Sequence, residues 1–352
     1  MIVRWEWNEA LTGILNDERL PIVVSELLRA HRQGHHLVIM EREVAVALSE
    51  IDLSRADRAL LTRLASEFTQ TGGLHRRCAA YLSILNFFDE EIRQNEAKVE
   101  ISLGAISASR LLEPTLLVVE NIATDGWLLD QILSVAAIRA QLGAFKIDTV
   151  HGGGDDIANV VDALLPQKRA LVVLIDSDKN APMSAPTPKL ARFERVFRKH
   201  GWFIGCVDCP PCRELENLIP LDVLMGLPSG VSCEANPVLL QISNAEERSS
   251  VALLERLNLY FDLKLGTCTD KFRELLPNER AWMELKLNLA GLDKDNFSIP
   301  GYGDKIINQI KAEGRHIANL RSSLRDSDWT ANFLNFFFTI LWYFISSRRL
   351  VT

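Results

Sequence analysis

Cysteine is sparse, and its spacing is not that of a secreted framework. Six cysteines in 352 residues do not staple a fold, so a reducing cytoplasm is the expected setting. The first ten residues, MIVRWEWNEA, lack the basic start and unbroken apolar core of a secretion signal. Positive charge is not in excess: 39 Lys and Arg stand against 46 Asp and Glu, a net charge of −7. Such a chain is not built to coat nucleic acid indiscriminately, which takes a basic surface. A nuclease survives that test, because clustered carboxylates are themselves acidic until a metal arrives. Long hydrophobic runs are also lacking. The nearest is WTANFLNFFFTILWYFI (329–345), at the short end for a membrane span and interrupted by Asn332, Asn335 and Thr339. A helix buried in the core or at a dimer contact is the expectation, a tail anchor the alternative. No GxxxxGK[ST] phosphate loop is present, so ATP hydrolysis, if any accompanies this chain, belongs to a separate subunit.

What is present, 47% hydrophobic and 24% charged residues, suits a folded chain with a core of useful size. Residues 1–112 read as mainly helical. Ser54 is a candidate N-cap for LSRADRALLTRLASEF, RRCAAYLSILNFFDEEIRQ reads as a second amphipathic helix, and HHLVIM as one strand. His31, His35 and His36 lie in the same region without a Cys or carboxylate at ligand spacing, and read as surface or strand-edge histidines. The texture changes at Pro114. LLVV, FKIDTV, LVVLID and WFIGCVD read as strands, separated by helices TDGWLLDQILSVAAIRAQL, IANVVDALL and PKLARFERVFRKH. That alternation predicts a parallel sheet flanked by helices over 113–225. Residues 226–352 read as helical again.

In such sheets chemistry gathers at the carboxyl ends of the strands. Glu120 closes the first strand, Asp176 and Asp178 close the third, and Glu214 and Glu216 follow the fourth. Packed carboxylates repel and raise one another's pKa. A divalent cation with oxygen ligands, Mg²⁺ or Mn²⁺, relieves that repulsion. The order LLVVENIATD, then HGGGDD, then LVVLIDSDKN resembles the Toprim domain, and the acidic CRELENLIP resembles the segment after the fourth strand in nucleases of the OLD (overcoming lysogenization defect) family. The likeness covers about a third of the chain. It implies a metal-dependent nuclease acting on DNA or RNA and, as a role, antiviral defence beside a separate ATPase or sensor. By that resemblance Glu120 is an acid/base or metal ligand, Asp176 and Asp178 hold the metal, and Glu214 and Glu216 serve a second ion. Asp125 assists with metal or orients the turn, and Lys179 offsets charge on the phosphorus. Asn121 stands where many members have glycine.

Several residues keep two readings. Gly152, Gly153 and Gly154 either admit a phosphate to the backbone or make a tight turn. Cys206, Cys209 and Cys212, with Cys233, either bind zinc or are packed thiols. Arg192, Arg195 and Lys199 share a helix face and either grip phosphates or face solvent. Two rival functions stand beside the nuclease: a Toprim-derived binding or assembly subunit without turnover, and a haloacid-dehalogenase-type phosphatase, whose Asp-x-Asp normally lies on an early strand. A homodimer is a further possibility, and no membrane partner is expected.

Overall fold

The structure is a computed structural model and describes residues 1–185, 187–202, 204–227 and 235–349. Its first part corrects the expectation of a mainly helical N-terminal region. Strands β1 (Ile2–Trp5), β2 (Leu37–Met40), β3 (Tyr81–Leu85), β4 (Ile92–Asn95) and β5 (Lys98–Ser102) form a five-stranded sheet in the order β2-β1-β3-β5-β4. All pairs are parallel except β4 with β5. The strand expected in HHLVIM is β2. The segment read as a second helix instead supplies β3 and β4. The helix Arg55–Thr71 begins at Ser54, whose hydroxyl accepts the Asp57 N–H.

The central region follows its expected alternation. Strands β6 (Leu116–Val119), β7 (Asp148–His151), β8 (Leu171–Leu174) and β9 (Gly205–Asp208) form an all-parallel sheet in the order β7-β6-β8-β9. Every residue of β6 and β8 is buried, which is why these strands are unbroken apolar runs rather than alternating ones. Period-two geometry sends alternate side chains to opposite faces. Leu116, Val118, Leu171 and Val173 enter a core shared with the N-terminal sheet and its helices. Leu117, Val119, Val172 and Leu174 enter a second core, shared with the helix Trp127–Arg139 and the C-terminal region.

Residues 235–349 are mainly helical, with one two-stranded ribbon, β10 (Gly266–Cys268) against β11 (Ser298–Pro300). The apolar run at 329–345 contributes the helix Ser327–Leu341, and Phe333, Phe337, Ile340 and Leu341 are buried in the second core. Among the described residues no helix is long and apolar enough to cross a membrane. Beyond that helix the chain stitches the layers together. The Thr115 hydroxyl donates to the Tyr343 carbonyl (2.6 Å), Lys146 N–H to Phe344 (2.8 Å) and Ser347 N–H to His36 (3.3 Å). His31 and His36 are buried, not superficial. His31 Nδ1 accepts the Val38 N–H, and His36 Nε2 lies 2.8 Å from the Leu111 carbonyl, so both serve the fold.

Candidate active site

β6 and β8 are neighbours, so the residues just past them, Glu120 and Asp176–Asp178, emerge side by side at one edge. The turn after β8 is clamped to the segment after β9: Ser177 and Asp178 N–H both donate to the Arg213 carbonyl at 3.0 Å, and the Ser177 hydroxyl donates to the Cys212 carbonyl. Asp178 sits at φ 55°, a left-handed backbone that aspartate tolerates better than most residues. Glu120 is connected to this turn by a side chain the sequence reading left out of the site. Lys189 Nζ lies 3.0 Å from Glu120 Oε1, 3.9 Å from Asp155 Oδ1 and 4.0 Å from Asp178 Oδ2. Glu120 and Asp178 are therefore well under a nanometre apart.

A second group lies deeper. Asp176 Oδ1 accepts the Leu215 N–H at 3.0 Å, which ties the acidic segment to the end of β8. Burial, then the charges of Glu216, Asp125 and Glu214, push the Asp176 carboxyl well above the usual carboxylate range. Burial likewise raises Glu214 and Glu216. Between those two glutamates stands Lys264, 3.1 Å from Glu214 Oε2 and 3.1 Å from Glu216 Oε1. Burial lowers the Lys264 ammonium, but the two carboxylates outweigh it and hold its pKa above the ordinary lysine value. Glu216 Oε2 remains buried without a hydrogen-bond partner. Asp125 takes the turn-orienting role: its Oδ2 accepts Asn121 N–H and its Oδ1 the Thr124 hydroxyl, both at 2.8 Å. Asn121 has φ −133°, so glycine is not required there.

Compared with family models, curated proteins and solved structures, the chain finds no counterpart in any of the three. The site must be read from its own side chains.

Among the described residues, no three His, Cys, Asp or Glu side chains converge closely enough to hold a metal ion as they stand. Two ammonium groups stand among the acids instead. Neither had a signature in the sequence: Lys189 was one base among several on its helix, and Lys264 lies about fifty residues past the glutamates it bridges. Lys179 follows Asp178 directly, and its charge reaches the Cys209 thiol, on the β9 side of the turn.

The glycine turn is resolved by packing. Gly152 N–H donates to the Val119 carbonyl at 2.7 Å, and a Cβ there would meet that oxygen at 2.7 Å and the Ile157 side chain at 2.5 Å. Gly153 and Gly154 have positive φ. These are the demands of a tight strand-to-helix turn. The basic helix Lys189–His200 turns Arg192, Arg195 and Lys199 outward, but Arg192 donates to Asn159 Oδ1 and Lys199 to Asp162, both on the helix Ile157–Leu164. Only Lys189, at its first turn, touches the acids. Cys206, Cys209 and Cys212 are free thiols. Burial pushes Cys206 up to about 12 and raises Cys212 as well, and the Cys212 thiol donates to the Glu214 carbonyl at 3.1 Å, the surroundings of packed thiols. Cys233 lies outside the described residues.

Proposed function

We propose that this chain is a metal-dependent phosphodiester hydrolase of Toprim type, cutting nucleic acid. The observation that carries the reading is the half-buried Asp176, whose carboxyl feels the charges of Glu216, Asp125 and Glu214 at the carboxyl edge of a parallel sheet. Four acids so placed, Asp125 and Glu216 buried and Asp176 and Glu214 half-buried, cost stability unless cations join them, and among the described residues Lys264 pairs only with the two glutamates. The donor set is oxygen only and includes a buried Glu216 oxygen with no partner, which suits a hard divalent ion such as Mg²⁺ or Mn²⁺. These acids do not converge on one point as they stand, so Asp176 and Asp178 would have to draw in on the ion to hold it, with Glu120, Glu214 and Glu216 serving a second position. When bound, such ions lower the pKa of water and offset charge on the phosphate.

The chain's own residues supply the rest. Lys189 holds Glu120 against the Asp178 side of the turn and presents positive charge where a phosphate would lie. Lys264 keeps Glu214 and Glu216 from repelling each other. Lys179 stands ready beside Asp178. Incubation with plasmid, single-stranded DNA and transfer RNA, with Mg²⁺ or Mn²⁺ and then with EDTA, tests the reading. Wild type should cut at least one substrate only with metal, and Glu120→Ala and Asp176→Ala should each lose at least about 100-fold. Cleavage retained by both variants overturns it.

A second reading has an observation in its favour. Lys264 already neutralises two of the acids, as expected of a non-catalytic subunit that binds nucleic acid or a partner without turnover. Binding of a labelled oligonucleotide under every divalent ion, with no cutting, would select that reading.

A further inference from the structure

Beside the acids lies a cavity of about 530 Å³, a size typical of small-ligand sites. Asn180, Arg213, Tyr260, Asp262, Leu265 and Lys271 help to line it. It shares two segments with the acidic edge: Asn180 lies two residues past Asp178, and Arg213 immediately precedes Glu214. The clamp between the Arg213 carbonyl and the Asp-x-Asp turn fixes the cavity against the candidate hydrolytic centre. The larger cavity, of about 670 Å³, opens among Pro220, Arg256 and Trp329, and none of the site acids lines it.

The lining has two characters. Leu265 is 73% exposed and Leu276 is 61% exposed, an apolar rim left in water. Its polar part offers the remaining N–H groups of the Arg213 fork: Nη1 donates one hydrogen to Asn180 Oδ1 and Nη2 lies 3.7 Å from Asp262 Oδ2, while the buried Nε faces Glu214 Oε1 at 4.0 Å and is not open to a ligand. Asp262, Glu274 and Glu279 stand in the same lining and disfavour a second phosphate. A neutral, flat group with hydrogen-bond acceptors on its edge fits both characters. Resting on the hydrolase reading above, we infer that this cavity receives one unpaired nucleobase adjoining the bond to be cut, and that it selects guanine. Apolar surface takes the base. Guanine presents the O6/N7 acceptor pair that an arginine fork matches best.

The test uses end-labelled oligothymidine, as DNA and, with uridine, as RNA, carrying a single guanine, against the same strand without it. Anisotropy in EDTA or Ca²⁺ should show about tenfold tighter binding of the guanine strand, and with Mg²⁺ or Mn²⁺ the cuts should cluster at the bond beside the guanine. Arg213→Met and Leu265→Ser, the second at a position exposed enough for the fold to bear it, should each abolish both preferences. Equal affinity together with cuts spread evenly along both strands overturns the cavity's role and leaves the hydrolase reading standing. A preserved affinity difference with no cutting of these strands, of plasmid or of transfer RNA supports the cavity and overturns the hydrolase reading.

Discussion

Replacing Asp176 with Asn keeps an oxygen for the Leu215 N–H and removes an ionisable group from a half-buried place among other acids. Because burial and acidic neighbours raise its pKa in the folded chain, folding retains a proton that the unfolded chain has released once pH exceeds the ordinary carboxylate range. Where the unfolded state binds fewer protons, stability falls as pH rises, and it does so here until the raised folded value is passed. Asp176→Asn should therefore raise Tm by roughly 2–4 °C in EDTA at pH 8, with a smaller gain at pH 5. A cation that needs the ionised carboxylate should stabilise wild type more as pH rises and leave the variant unmoved. Thermal melts with and without Mg²⁺ at the two pH values check both signs, and an equal Mg²⁺ effect on wild type and variant would remove Asp176 from the metal site. Lys264 is the complementary case. Lys264→Met leaves Glu214 and Glu216 buried without their counter-charge. Breaking such a pair costs several kcal/mol, and with Lys264 31% exposed we expect about 2–3 kcal/mol in urea unfolding. Mg²⁺ should recover part of the loss if the glutamates are metal ligands, and none if the ammonium is their permanent partner.

At the scale of elements, the turn after β7 sets how closely Glu120 can be approached. Gly152→Ala would drive a methyl into the Val119 carbonyl, one residue before Glu120, and should cost about 2–3 kcal/mol while weakening any activity that depends on Glu120. Gly154→Ala meets open space and only strains a positive φ of 64°, so about 1 kcal/mol is expected. Urea midpoints of the two variants separate close packing from backbone freedom. If they coincide, the packing account of this turn is wrong. The same scale explains what the sequence disclosed. Strands β6 and β8 were legible because both their faces are covered, leaving four apolar residues in a row, and the helices on either side of β8, Ile157–Leu164 and Lys189–His200, carry a clear 3.6-residue period. Strand β3, YLSIL, was not: Tyr81, Leu82, Ile84 and Leu85 also satisfy helical spacing, and a five-residue buried strand carries no periodicity that excludes a helix. Among the site residues, the acids were legible because each closes or follows a strand. Lys189 and Lys264 were not, since their place is set by tertiary packing rather than by any motif.

Among the described residues two large cores meet across one sheet, and a smaller cluster of Ile2, Ile39, Trp342 and Ile345 packs the C-terminal segment on the N-terminal strands. Because alternate residues of β6 and β8 feed opposite cores, the central region owes one face to residues before it and the other to residues after it. The segment after the Ser327–Leu341 helix reinforces this: it bonds to the start of β6 through Thr115, to the approach to β7 through Lys146, and to the N-terminal sheet through His36. A fragment of residues 113–225, although it holds Glu120, Asp176, Asp178, Glu214 and Glu216, therefore exposes two apolar faces to water. It should not fold cooperatively. We expect it to bind a hydrophobic dye, to lack near-ultraviolet circular dichroism and to show no sharp thermal transition, the signature of secondary structure without fixed packing. The carboxylates would then be solvated and their mutual arrangement lost, so Mg²⁺ should not restore order. A cooperative melt from that fragment would mean that the sheet supplies its own core, and that the flanking regions do something other than build the site.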